Sequence, residues 1–389
     1  MKSEYLKTKL ACYIGYIVQA IVNNFLPILF IVFTTVYNLS YEQLARLIVI
    51  NFITQMVTDL ITPKIVGKLN YKKTALLAHF SAFAGLFLLG VLPMLVSRKY
   101  LTICLCLILT AFGSGLIEVV ISPIIENLPT VNKKGNMAYL HSFYCWGQTF
   151  TIIVTTALIY AFGFKNWEYI PILWSLIPFF NLFVFMRVPV IEPGAETKKA
   201  TFKALFKSGR FRCFMVMMLC AGACEIAMAQ WASLFAQQAL GVSKVIGDLL
   251  GPCAFAVFMG IGRIWYGFVA ERISFRKTLI YLSGICFILY LAVAFCKLPI
   301  IALICCALCG FTVSISWPGL YSAGAKNFPE GASVMYSVFA MCGDTGCCLG
   351  PWVLGIVADR FNLNMGFAAA SVFPILMIIT AKISIKTKT

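Results

Sequence analysis

The sequence predicts an all-α integral membrane protein, with twelve membrane-spanning helices in two pseudo-symmetric six-helix bundles. Three observations predict this fold: the composition, the spacing of the apolar stretches, and an internal repeat. Of the 389 residues, 61% are apolar and only 12% are charged. Soluble domains contain about 45–50% apolar and about 25% charged residues. A water-soluble globular fold therefore does not fit this composition.

Apolar stretches long enough to cross a bilayer recur twelve times, since each spanning helix needs about 20 apolar residues. They lie near 10–36, 44–66, 75–96, 100–127, 137–163, 168–188, 212–240, 246–270, 278–296, 299–326, 332–358 and 365–382. The longest polar stretch predicts a central cytoplasmic loop over 191–211, with a short surface helix at 201–208. The predicted halves are 1–190 and 212–389.

The basic residues indicate the orientation of the chain in the membrane. With a cytoplasmic N-terminus, 23 of the 31 Lys and Arg residues fall on the inside and 7 on the outside, while Arg263 lies within a span. Cytoplasmic loops carry an excess of Lys and Arg. Both termini are therefore expected in the cytoplasm of a multi-pass protein of the cell membrane, and the net charge of +17 records topology rather than nucleic-acid binding.

An internal repeat relates the two halves. The segment Asp59–Lys73, after the second span, and the segment Arg263–Lys277, after the eighth, match at a constant offset of 204. Small residues, then a basic residue, an aromatic residue and a basic pair recur at the same spacing. Two related six-helix halves are typical of alternating-access transporters.

The sequence lacks the motifs that would indicate a disulfide framework, a metal site, a nucleotide site or a membrane enzyme. The sixteen cysteines lie in apolar runs, where Cys behaves as a small hydrophobic residue. Neither metal-ligand spacing nor a phosphate-binding loop is present, and no HExxH or GxSxG motif indicates a membrane enzyme. No cofactor and no metal are expected, and a transporter-like sensor would be expected to have longer cytoplasmic extensions.

The loop Gly267–Lys277 resembles the signature that the major facilitator superfamily carries between the second and third helices of each half. The first-half copy departs from it, with Gly67 where an acid is expected. Within that superfamily, Gly113–Pro123, Leu140–Gly147 and Gly310–Asn327 resemble the fucose-permease-like sugar:proton symporters. The resemblance implies the major facilitator fold and transport of a small solute by alternating access.

Glu118 is the strongest candidate for proton coupling. It lies in the middle of the fourth span, with Ser122 one turn further along the same face. Acids within membrane spans are costly and indicate function. A carboxylate in an apolar cavity can take up a proton near neutral pH and release it when hydrated, and the resemblance gives the matching glutamate a coupling and sugar-binding role. A buried carboxyl that only joins two helices is the alternative.

Carboxamides in the first span predict binding of a hydroxyl-rich neutral solute, because an amide both donates and accepts hydrogen bonds. They are Gln19, Asn23 and Asn24. In the resembling permeases an aspartate needed for proton coupling occupies the place of Asn23. Coupling then rests on Glu118 alone or is absent, and hydrogen bonding between helices remains the alternative for these amides.

Further candidates lie in the fifth, seventh and tenth spans. Glu225 is a second candidate for proton coupling or substrate binding. Aromatic rings could stack on the C–H face of a sugar, although membrane tryptophans also serve as interfacial anchors. The substrate-binding candidates from these spans are His141, Gln148, Gln230, Trp231, Trp317 and Tyr321.

Charged residues in the second, eighth and eleventh spans predict gating. Ion pairs that form in only one access state would bias a two-state equilibrium, while constant ion pairs are the alternative. The predicted gating residues are Asp59, Arg263, Glu271, Arg272, Arg276 and Asp344.

Together these features predict a monomeric secondary transporter of a small neutral polar solute, such as a sugar, with protons and the lipid bilayer as its other partners. A drug or metabolite:proton antiporter and a facilitative uniporter remain open as alternatives.

Overall fold

The computed structural model describes residues 3–39, 41–130, 132–192, 202–238, 241–243, 246–247, 249–296, 298–329 and 332–384. Within these ranges the regular secondary structure is entirely helical. Residues 193–201 of the predicted central loop lie outside the described residues, and the short surface helix predicted at 201–208 is present as Phe202–Lys207.

Fifteen α-helices are numbered here in chain order over the described residues. They are α1 Ser3–Ile28, α2 Phe30–Tyr37, α3 Tyr41–Leu95, α4 Lys99–Glu126, α5 Lys133–Phe162, α6 Tyr169–Arg187, α7 Phe202–Lys207, α8 Gly209–Gln238, α9 Ala254–Val269, α10 Phe275–Phe295, α11 Pro299–Val313, α12 Ser316–Asn327, α13 Ala332–Arg360, α14 Leu363–Ala370 and α15 Val372–Ser384. A π-helical turn, Leu249–Cys253, leads into α9.

Eleven segments in the described ranges are long and apolar enough to cross a membrane, and one of them, Arg46–Leu95, contains two spans. At about 1.5 Å per residue it far exceeds the roughly 30 Å hydrocarbon core of a bilayer. The break lies at Asn70, whose backbone has φ 70° and ψ 171°. Its Oδ1 accepts a hydrogen bond from the Lys73 backbone N–H, which caps the second helix. The predicted twelve spans are therefore confirmed.

Two predicted continuous spans are broken in the structure. The first span ends at Ile28 and resumes at Phe30, just after Pro27, which cannot donate a backbone hydrogen bond. The tenth span is divided between α11 and α12. There the Ser314 hydroxyl donates to the Phe311 carbonyl, which competes with the regular helical hydrogen bond.

The chain forms two compact units. The first contains Met1–Thr130 and Trp146–Ala195, and the second contains Val131–Cys145 and Glu196–Thr389. Helix α5 thus contributes its first part to the second unit and the remainder to the first. This division assigns 131–145 differently from the predicted halves, whose boundaries at 190 and 212 stay a prediction.

Close helix packing in each unit depends on glycine. A Cβ atom on Gly113 of α4 would lie 2.7 Å from the Ala78 carbonyl oxygen of α3, and one on Gly346 of α13 would lie 1.9 Å from the Leu219 carbonyl oxygen of α8. Small residues let membrane helices approach closely. In the second unit, cysteines such as Cys306 and Cys309 pack within the buried apolar core, as expected of Cys in apolar runs.

Candidate functional site

A buried amide–carboxylate pair joins α1 to α4 in the first unit. Gln19 Nε2 donates a hydrogen bond of 2.7 Å to Glu118 Oε2, and the two side chains are only 4% and 5% exposed. An amide can donate to a carboxylate or accept from a carboxylic acid. The Gln19 side chain can therefore serve Glu118 in both of its protonation states.

A second group of neutral polar side chains lies next to this pair. Gln55 Nε2 donates to Asn23 Oδ1 at 3.1 Å. The Ser114 hydroxyl lies 3.2 Å from Asn23 Oδ1 and 3.1 Å from Gln55 Oε1. The bonds join α1, α3 and α4, and Ser114 stands one turn before Glu118 on α4. We call Gln19, Glu118, Asn23, Gln55 and Ser114 the amide cluster.

The predicted residue Ser122 continues the same face of α4. Its hydroxyl shares a 2.7 Å hydrogen bond with the Tyr16 hydroxyl of α1, and both side chains are buried. Polar groups therefore extend over two turns at the contact between α1 and α4. Such a face offers both donors and acceptors to a polyhydroxylated solute.

Two further predicted residues of the first unit lie on α1 and α5. Asn24 donates a hydrogen bond of 2.9 Å to the Ala20 carbonyl of its own helix. Gln148 is buried on α5, next to Gly147, where a Cβ atom would come within 3.0 Å of the Ile17 Cα atom of α1. Gln148 thus lies where α5 approaches α1.

The second unit contains a buried ion pair between Arg263 of α9 and Glu225 of α8. Arg263 Nη2 donates to Glu225 Oε2 at 3.1 Å, and the side chains are 2% and 8% exposed. Proton coupling and gating were predicted for these residues separately, but they form one group. We call it the Arg263 centre.

Arg263 is held by three more contacts. Its Nε donates to the Ser314 carbonyl at 3.2 Å, and its Nη1 donates to the His141 carbonyl at 2.8 Å and lies 2.9 Å from Cys145 Sγ. The part of α5 that contains His141 and Cys145 is therefore tied to α8, α9 and the break between α11 and α12. A guanidinium with its fork of donors suits such a junction.

The predicted aromatic residues of the tenth span form a cluster with His141. The His141 and Tyr321 rings lie 5.7 Å apart, and those of Trp317 and Tyr321 lie 6.1 Å apart. Tyr321 is fully buried, whereas Trp317 is partly exposed. Trp317 packs on Gly343 of α13, where a Cβ atom would lie 2.1 Å from its ring.

The two predicted residues of the seventh span differ in their surroundings. Trp231 is partly buried against the apolar core of the second unit and faces Gly355. Gln230 is exposed. The structure thus brings His141, Trp317 and Tyr321 together, whereas Gln230 and Trp231 lie outside this cluster.

The predicted gating residues take several positions. Glu271 pairs with Lys134 at 3.4 Å, and Arg276 donates to the Ala381 and Lys382 carbonyls at the end of α15. Arg272 is exposed. Asp59 is buried in the first unit and Asp344 in the second.

The sequence prediction missed Gln55, Ser114 and Tyr16. A signal for Gln55 exists, because it is a polar residue one turn before Asp59 within an apolar span. Ser114 and Tyr16 gave no comparable signal, since Ser and Tyr are frequent in membrane helices. Among the described residues, no group of three His, Cys, Asp or Glu side chains could hold a metal ion.

Comparison with known proteins identifies the family. A family model of the Major Facilitator Superfamily matches residues 12–351. The fold is similar to a variant of the E. coli fucose:proton symporter FucP, with a TM-score of 0.81 and 18% identity over 99% of this chain and 100% of that chain. No curated protein sequence matches the chain.

Two other solved structures are also similar. The proton:xylose symporter XylE, bound to 6-bromo-6-deoxy-D-glucose, gives a TM-score of 0.79 and 13% identity over 97% of this chain and 95% of that chain. A bacterial homologue of the iron transporter ferroportin gives 0.76 and 10% identity over 97% and 99%. At these identities the likeness concerns the fold, whereas the family match covers most of the sequence. The chain therefore belongs to the major facilitator superfamily, and it is a multi-pass membrane transporter rather than an enzyme.

Proposed function

We propose that this transporter moves a small neutral polar solute, a sugar or a related compound, by alternating access, and that Glu118 couples the movement to protons. The observation that carries the proposal is the buried hydrogen bond from Gln19 Nε2 to Glu118 Oε2. An isolated charge within a membrane span is costly. A partner that can bond to the carboxylate and to the carboxylic acid allows Glu118 to alternate between them.

The chemistry of the amide cluster supports a neutral, hydroxyl-bearing solute. The side chains bonded around Asn23 are an amide and a hydroxyl, Gln55 and Ser114, and the cluster has a single acid and no basic residue. Such groups match sugar hydroxyls, which donate and accept, better than they match an anion. Two of the similar structures are sugar:proton symporters by name, which agrees with this class.

We also propose Trp317, within the second unit, as a substrate contact. Its ring is partly exposed and lies beside Tyr321, and an aromatic face can stack on the C–H face of a sugar ring. The aromatic cluster also contains His141, which would offer a polar contact. We also propose Gln148, Gln230, Trp231 and Asn24 as substrate contacts.

Facilitated diffusion is the second candidate, and Asn23 favours it. Asn23 is an amide bonded to Gln55 and Ser114, so it cannot take up a proton at the place where the resembling permeases have an acid. If Glu118 stays in one protonation state throughout the cycle, the protein is a uniporter for the same class of solute.

We also propose the orientation and setting of the chain. We propose that the protein lies in the plasma membrane with both termini in the cytoplasm, which the excess of basic residues on one side supports. The proposed working unit is a monomer, and the predicted gating residues Asp59, Arg263, Glu271, Arg272, Arg276 and Asp344 would control its access states.

Transport by purified protein in proteoliposomes tests the proposal. We expect uptake of a labelled neutral sugar without ATP. When the outside solution is made more acidic than the lumen, so that protons are driven inward, we expect the sugar to accumulate inside. Glu118→Gln should abolish accumulation but spare exchange, because an amide cannot carry a proton. Glu126→Gln, which makes the same change two turns further along α4, is the matched control and should retain accumulation.

The alternatives give different results. Equilibration of the sugar without accumulation by the unaltered protein would identify a uniporter. Export of a hydrophobic cation, with no sugar uptake, would identify a drug:proton antiporter. Unchanged accumulation by Glu118→Gln would overturn the coupling role, and unaltered sugar affinity in Trp317→Ala would return Trp317 to a packing role.

A further inference from the structure

A groove opens in the second unit between the beginning of α8 and the end of α15. Its volume is about 440 Å³. Arg210 and Arg212 line it on α8, and Ile383 and Ser384 line it on α15. The beginning of α8 and the end of α15 are expected at the same side of the membrane, because they line one groove.

The groove lies in the most basic part of the chain. Residues 197–224 and 361–389 contain no acidic residue but nine Lys and Arg residues. Within the described part of the chain, neither Arg210 nor Arg212 forms an ion pair; Arg210 donates to the Asn327 side chain at 3.1 Å. Both guanidinium groups are at the surface and can bind an anion.

One wall of the groove is apolar and continues along the span. Val216, one turn beyond Arg212, is 38% exposed, and Ile383 is 63% exposed. Exposed apolar side chains on a membrane-spanning helix are suited to contact with lipid acyl chains. Along α8 the groove is therefore basic at Arg210 and Arg212 and then apolar at Val216. A phospholipid has the same order, with a charged headgroup followed by acyl chains.

Helix α7 places this groove at the surface of the bilayer. Phe202 and Phe206 of α7 are exposed, whereas Leu205 is buried against the protein. The Arg212 guanidinium lies 6.0 Å from the Phe206 ring, which ties α7 to the rim of the groove. Aromatic and basic side chains on a short surface helix are typical of the membrane interface.

We propose that this groove binds one anionic phospholipid, with the phosphate on Arg210 and Arg212 and an acyl chain along Val216 and Ile383. A guanidinium fork matches two phosphate oxygens, and basic pockets between spans bind anionic headgroups. A free phosphate ion would leave the apolar wall without a partner. A second copy of the chain would bring two surfaces of the same positive charge together.

Native mass spectrometry of the purified full-length protein tests the site. The protein is delipidated in detergent and then given phosphatidylglycerol, phosphatidylcholine with the same acyl chains, or inorganic phosphate. We expect one phosphatidylglycerol molecule to be retained per protein, and neither of the other two probes to be retained comparably. Equal retention of phosphatidylcholine would overturn the proposal, as would binding of phosphate alone or a lipid-independent dimer.

Two variants examine the two parts of the site. Arg210→Gln/Arg212→Gln should weaken retention of phosphatidylglycerol by about tenfold or more. Lys68→Gln/Arg187→Gln removes the same charge from exposed positions at the predicted cytoplasmic side of the first unit, and it should retain the lipid. Ile383→Trp keeps both arginines but fills the groove, so it should lose the lipid. If Ile383→Trp retained as much phosphatidylglycerol as the unaltered protein, the lipid would be adsorbed without entering the groove. That result would overturn the proposal.

Discussion

The two units place different chemistry on corresponding helices. In the first, the amide cluster joins the first, second and fourth spans by hydrogen bonds among neutral groups and one acid. In the second, the Arg263 centre joins the seventh, eighth and tenth spans, and here the acid is paired with a guanidinium. The internal repeat aligns the end of the second span with the end of the eighth.

The difference concerns what happens when the acid takes up a proton. Protonation of Glu118 leaves Gln19, a neutral amide that can reverse its role and accept a hydrogen bond. Protonation of Glu225 removes the negative charge that lies 3.1 Å from the Arg263 guanidinium, which stays positive and can only donate hydrogen bonds. The first centre is suited to proton exchange, whereas the second is suited to holding helices together.

The largest expected effect comes from leaving Arg263 without its partner. Glu225→Leu should lower the free energy of unfolding by about 3–5 kcal/mol, the usual cost of breaking a buried ion pair from one side. Arg263→Leu should cost less, because the remaining Glu225 carboxyl can bind a proton and become neutral. Thermal unfolding of the purified variants in detergent, followed by tryptophan fluorescence, measures both.

The double variant Glu225→Leu/Arg263→Leu is the control for this pair. It removes both charges, so it should be more stable than Glu225→Leu, although the His141 and Ser314 carbonyls lose their donor. Additive losses in the double variant would contradict the buried ion pair.

A smaller effect is expected in the amide cluster. Gln19→Leu removes the donor to Glu118 and should destabilise the protein by about 1–3 kcal/mol, since a buried acceptor is left without its bond. It should also impair proton-driven accumulation, because the carboxylate loses the partner that accompanies it through both states. Unfolding and proteoliposome uptake are measured on the same preparation.

Tyr16→Phe provides the comparison for Gln19→Leu. It removes a neutral hydrogen bond between the same two helices, that to Ser122, and should cost only about 0.5–1.5 kcal/mol. If Gln19→Leu were no more destabilising than Tyr16→Phe and accumulated substrate normally, the proposed role of the Gln19–Glu118 pair would fail.

The sequence predicts the membrane-spanning helices well but predicts few of the side-chain contacts in the candidate site. The twelve spans follow from hydropathy, because each must be apolar over its whole length. The break after Pro27 has a sequence cause, but the break near Ser314 depends on which carbonyl its hydroxyl selects. The contact of Glu225 with Arg263 joins residues 38 positions apart on different helices. No spacing rule within one helix could have found that pair.

The repeat offered a partial guide to the site. It aligns Asp59 with Arg263 and so indicates that the second and eighth spans carry a charge at the same depth. It did not indicate Gln55 or Ser114, which have no polar counterparts at the offset of the repeat. Their role comes from the rotation of α3 and α4 about their axes, which depends on packing at positions such as Gly113.

The smallest expected effect sharpens the comparison from within the amide cluster. Ser114→Ala removes one hydroxyl that lies between Asn23 and Gln55, and both amides keep the bond that joins them. We expect a loss of about 1 kcal/mol in the free energy of unfolding. Ser175→Ala is the matched control, because Ser175 is equally buried and, among the described residues, bonds only to the Ile172 carbonyl of its own helix; it should cost less. A larger loss for Ser175→Ala would mean that the Ser114 hydroxyl does not stabilise the contact between helices. The amide cluster would then consist only of the Gln19–Glu118 pair and the hydrogen bond from Gln55 to Asn23.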